Sequence, residues 1–82
     1  MTGVTIKPTF SMLDIFRTWV LKTGPGVWEI PDGKIALYTA LVNWYWDWAV
    51  ITRAKYRIKW SEPGKSFEIF LNPEWDGGPA KI

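Results

Sequence analysis

From Ile35 to Thr52 the chain runs eighteen residues with a single charge, Asp47, and Asn43-Trp44-Tyr45-Trp46-Asp47-Trp48 sets four aromatics within six positions. Apolar surface on this scale must be covered by the protein's own core, by a membrane or by a partner. As a helix the stretch measures about 27 Å, close to the shortest segment that crosses hydrocarbon. Asp47 would be costly at that depth. If the rings formed an interfacial belt, only residues 35–42 would remain for lipid. A soluble core is therefore the favoured reading, and membrane association the less favoured one.

Helix and strand compete for the same residues. As a helix from about Ala40 to Arg53, the segment puts Leu41, Trp44, Trp48 and Ile51 on one stripe and Thr39, Asn43 and Asp47 on another. As a strand it would gather Trp44, Trp46, Trp48 and Val50 on one face. Polar residues recurring every four positions favour the helix. In that reading Trp44 and Trp48 pack inward, under Trp60, Phe67 and Ile69, while Tyr45 and Trp46 point outward.

The flanking elements suggest how such a helix is covered. Residues 1–9 read as an extended arm, and Ser11 with Asp14 opens a helix from about Ser11 to Lys22, stopped by Gly24-Pro25-Gly26. Val27–Ile30 and Lys34–Tyr38, joined by Pro31-Asp32-Gly33, read as a hairpin. A second hairpin turns at Pro63-Gly64. Pairing Ser61 with Ser66 places Trp60 opposite Phe67, Ile58 opposite Ile69 and Tyr56 opposite Leu71, and on the other face Lys59 opposite Glu68 and Arg57 opposite Phe70. Residues 73–82 read as an irregular tail. The expected architecture over residues 1–82 is a small single α+β domain in the order helix, hairpin, helix, hairpin, its antiparallel sheet covered by helices on one face. A small all-β barrel is the alternative if the aromatic run is a strand.

The chain contains neither cysteine nor histidine, which excludes disulfides, thiolate metal sites and Ser/His or Cys/His nucleophilic catalysis from its own residues. No paired carboxylate, calcium loop or phosphate-binding glycine motif stands out, so neither enzyme activity nor a cofactor is expected. Asp47 is expected on the polar stripe, paired with Arg53 or Lys55. The N-terminus shows no secretion signal, so the default location is cytoplasmic.

Net charge is +2, but residues 1–52 sum to zero, residues 53–60 carry +4 without an acid, and residues 61–82 carry −2. Arg53, Lys55, Arg57 and Lys59 alternate and would line one strand face over about 20 Å. Beside them Tyr45, Trp46, Phe70 and Trp75 are the candidate aromatic anchors. The expected role is a small interaction protein or accessory subunit. It would dock by aromatic anchors and be steered by the basic face onto an acidic or apolar-patch protein partner. A homo-oligomer is also plausible through the lightly guarded edge at Val27–Ile30. A single-stranded nucleic-acid module is the alternative, with phosphates on the cations and bases on the rings, followed by a small membrane-associated subunit.

Overall fold

The computed structural model describes residues 7–81, so the arm expected over 1–9 lies mostly outside the described residues. The first helix, α1, spans Phe10–Thr23. Its cap is Thr9, whose Oγ1 accepts the Met12 N–H at 3.1 Å, so the cap is not Ser11. Asp14 forms an ion pair with Arg17 one turn on. Gly24, at φ +82°, closes the helix by donating its N–H to the Val20 carbonyl at 3.1 Å.

Strand β1, Gly26–Glu29, follows, but the expected first hairpin does not form. Pro31-Asp32-Gly33-Lys34 makes a turn, closed by the Lys34 N–H on the Pro31 carbonyl. Lys34 then accepts the Tyr38 N–H at 2.9 Å, and the chain enters helix α2, Ile35–Thr52. The physical reason is continuity. No glycine or proline interrupts residues 35–52, and Ala36, Leu37, Ala40 and Leu41 are strong helix formers, so Ile35–Tyr38 is drawn into the helix.

Strands β2, Tyr56–Glu62, and β3, Ser66–Leu71, form the second hairpin. The expected pairs from Tyr56–Leu71 to Trp60–Phe67 are all present. Only the end differs: Ser61 is a bulge residue and Glu62 pairs with Ser66. The turn Glu62-Pro63-Gly64-Lys65 closes at 2.8 Å with Gly64 at φ +77°, the proline and glycine placement of a type II turn. The free strand β1 pairs antiparallel with β3, Trp28 opposite Phe67, giving an open three-stranded sheet in the order β1-β3-β2. This is an α+β domain, two helices on a three-stranded antiparallel sheet, and it is not a closed barrel.

Both helices cover the face that carries Ile58, Phe67 and Ile69, all fully buried together with Val20. Phe16 of α1 touches Tyr38, Tyr45 and Phe67 edge-on at 6.1 to 6.3 Å. The opposite sheet face, with Val27, Glu29, Arg57, Lys59, Glu68 and Phe70, carries no helix. The segment after β3 folds back. Buried Asn72 donates from Nδ2 to the Ala54 carbonyl at 2.9 Å, and the Lys81 N–H reaches the Thr52 carbonyl at 2.8 Å.

Candidate functional site

The stripe of α2 that enters the core is Leu41, Val42, Tyr45, Ala49 and Thr52. This reverses two expectations. Tyr45, expected as an outward anchor, is 0 % exposed, and its hydroxyl donates to the Tyr56 carbonyl at 3.0 Å. Burial, and secondarily the neighbouring Tyr56 phenol, push its own phenol above the ordinary tyrosine range. Trp44 and Trp48, expected under Trp60, Phe67 and Ile69, lie half-buried on the flank, stacked on each other at 6.1 Å. The cause is steric. Ala49 is small enough to bring the helix against Ala54 and Ile58, whereas two indoles at that interface would hold helix and sheet apart. The signal was present in the sequence: residues two positions from Asn43 and Asp47 sit about 200° around the helix from them, and those residues are Tyr45 and Ala49.

The basic segment is also redistributed. Arg53 is the left-handed cap of α2 at φ 52°, and Lys55 precedes β2, so the four cations do not share one strand face. Arg57 and Lys59 do lie on the helix-free face of β2. Asp47 makes no ion pair with Arg53 or Lys55; among the described residues the ion pairs are Asp14–Arg17, Lys59–Glu68, Glu62–Lys65 and Asp76–Lys81.

Instead, three of the cations seek rings. The Arg57 guanidinium lies 4.5 Å over Trp46, reaching across the outer edge of β2 to the helix. Lys59 lies 5.2 Å from the Phe70 ring centroid. Lys55 lies 5.2 Å from Trp75 and 5.4 Å from Tyr56. Trp75 is itself anchored, its Nε1 donating to the Gly78 carbonyl at 2.7 Å. Each such contact is worth about 0.5–1 kcal/mol at an exposed site. Thus Trp46, Phe70 and Trp75 each carry one cation along the β2 side of the molecule, while Tyr45 belongs to the core.

Lys59 also has Glu68 at 3.7 Å, but Arg57 has no acid within ion-pairing range among the described residues. Its Nε is buried without a hydrogen-bond partner. A groove of about 350 Å³ adjoins this point between α2 and β2, with Trp46 and Trp60 on its walls. The Trp60 Nε1 donates to the Asn43 Oδ1 at 3.4 Å. Apolar walls next to an uncompensated guanidinium suit a ligand that presents an apolar side chain beside a carboxylate.

Among the described residues no helix is long and apolar enough to cross a membrane, and no group of three acidic side chains is placed to hold a metal ion. No protein-family model matches this chain, nor does any curated protein or solved structure.

Proposed function

We propose that this protein is a non-catalytic docking domain that captures an acidic protein segment along the β2 side, through Trp46, Arg57 and the groove beside them. The observation that carries this reading is Arg57. Its guanidinium is held against Trp46, its Nε lacks a partner, and no carboxylate of the described residues neutralises it. Pre-placing a cation on a rigid ring lowers the ordering cost of binding. Lys55 and Lys59, two positions to either side, extend the positive field and speed encounter with an acidic partner.

A protein segment fits better than single-stranded nucleic acid. One face of each ring is already covered by a cation and cannot also stack a base. Glu68 and Glu29 share the helix-free sheet face with Arg57 and Lys59, and would repel a phosphate chain crossing it.

Tryptophan fluorescence can test this by titrating an acidic peptide with interspersed leucines against an oligonucleotide of equal charge. The peptide should bind, weaken with salt, and lose about tenfold or more in affinity in Arg57→Glu. Tighter binding of the oligonucleotide, or unchanged peptide affinity in Arg57→Glu, would sink the proposal.

A further inference from the structure

Strand β2 is an outer strand of an open sheet, and part of its outer edge is unmet. The Asn72 N–H bonds the Lys55 carbonyl, so by alternation Arg57 and Lys59 turn their main-chain groups to β3, while Tyr56, Ile58 and Trp60 turn theirs outward. The Tyr56 carbonyl is taken by the Tyr45 hydroxyl at 3.0 Å. Beyond it, the main-chain N–H and C=O of Ile58 and Trp60 have no hydrogen-bond partner among the described residues. Ile58 is 0 % exposed, so water does not serve its groups either. Burying unpaired main-chain groups is costly, and folded proteins leave very few of them.

The groove between α2 and β2 runs along these groups. Ile58, Lys59 and Trp60 form its strand wall, and Val42, Asn43 and Trp46 its helix wall. One end is closed by the Arg57 side chain, laid over the edge onto Trp46, and by the bond from Tyr45 to Tyr56 just beyond. An extended chain in the groove can therefore bond Trp60 and then Ile58, and must stop before Tyr56. At that stop it meets a guanidinium whose Nε is unpartnered. A chain antiparallel to β2 reaches the stop with its C-terminus, whose carboxylate the cation attracts. A parallel chain would bring its charged N-terminus there and be repelled.

We infer that the groove takes the C-terminal end of a partner protein as a fourth, antiparallel strand on β2. Its last residue lies opposite Ile58 and donates its N–H to the Ile58 carbonyl. The terminal carboxylate accepts the Ile58 N–H on one oxygen and Arg57 on the other. The third-last residue pairs with Trp60. Side chains alternate, so these two residues point with Ile58 and Trp60 toward Val42 and Trp46 and are apolar, while the one between them points with Lys59 to the helix-free face and is acidic. The inference rests on the docking function proposed above and specifies which part of the partner that site reads.

Titrating the protein with a short peptide that ends Leu-Glu-Leu, followed by tryptophan fluorescence, tests this without altering the fold. The free acid should bind. Its C-terminal amide should bind about tenfold or more weakly, and so should a peptide N-methylated at the last residue, which loses the bond to the Ile58 carbonyl. N-methylating the penultimate residue should leave affinity unchanged, because that N–H points away from β2. No binding by the free acid, an amide that binds as tightly as the acid, or equal effects of the two N-methylations would each overturn the inference. If acid and amide bind equally and Arg57→Glu weakens both, the docking function stands and only the added strand is lost. A free acid whose affinity ignores Arg57→Glu removes both.

Discussion

Removing the Tyr45 hydroxyl separates two contributions that the core combines. The Asn72 N–H bond to the Lys55 carbonyl fixes which residues of β2 face β3. By alternation, the main-chain groups of Tyr56, Ile58 and Trp60 face away from it. The Tyr56 carbonyl thus has no ladder partner and relies on the Tyr45 hydroxyl, 3.0 Å away. Tyr45→Phe keeps the ring and strands that acceptor, which should cost about 1–2 kcal/mol. Tyr45→Ala also deletes a ring that meets Phe16 at 6.3 Å and Trp48 at 5.5 Å, and should cost about 4–5 kcal/mol. Against a total stability of about 4–12 kcal/mol for a chain of this length, the first variant stays folded and the second lies near the limit. Urea unfolding followed by circular dichroism should show a lower midpoint for Tyr45→Phe with an unchanged slope. A Tyr45→Phe midpoint equal to that of wild type would refute the assignment of Tyr45 as the clasp between α2 and β2.

The same residue gives a pH signature: its phenol is raised in the fold, so unfolded chains ionise first, and stability should fall as pH climbs past about 10, by up to about 1.4 kcal/mol per pH unit. Tyr45→Phe should flatten that part of the alkaline stability profile. Asn72→Ala frees both the Ala54 carbonyl and the Glu74 N–H, and should cost about 2 kcal/mol in the same urea assay. Gly64→Ala forces a side chain into a left-handed turn position and should cost about 1 kcal/mol, seen as a thermal midpoint about 4–8 °C lower. The Lys81 hydrogen bond, followed by the Gly78 N–H, holds the Asp76 carboxyl below its ordinary range. That contribution is complete above about pH 4 and lost as pH falls through the lowered value, so the protection of the Lys81 amide relative to an unstructured amide at the same pH should drop only in acid, and in Asp76→Ala at every pH.

The second hairpin was legible in the sequence because its information is local: a Pro-Gly turn, two-residue alternation and one charge pair all demand the same register. The bulge at Ser61 moved only its last rung. The first hairpin misled because Pro31-Asp32-Gly33 turns the chain equally well into a strand or a helix. The outcome depends on β3, some forty residues later, which offers β1 a partner and leaves Ile35 free to begin α2. Among the candidate residues, the Arg57–Phe70 juxtaposition followed from strand register. The Arg57–Trp46 contact did not, since it crosses from helix to sheet. Tyr45 was misread because a polar stripe on a helix identifies the wet side, while the width of the dry side depends on how closely the sheet approaches.

The strand order has a consequence for biosynthesis. The middle strand, β3, is the last element of regular structure to be made, whereas β1 is finished some forty residues before it. A nascent chain therefore holds Val27 and Trp28 without their partner until Phe67 and Glu68 have left the ribosome. Synthesis at about 5–20 residues per second makes that interval a matter of seconds. The helices can form in the meantime, but the sheet cannot start from its N-terminal strand. The sheet closes only once β3 has emerged, so a ribosome stalled before β3 would hold an aromatic chain whose β1 and β2 lack the strand that joins them.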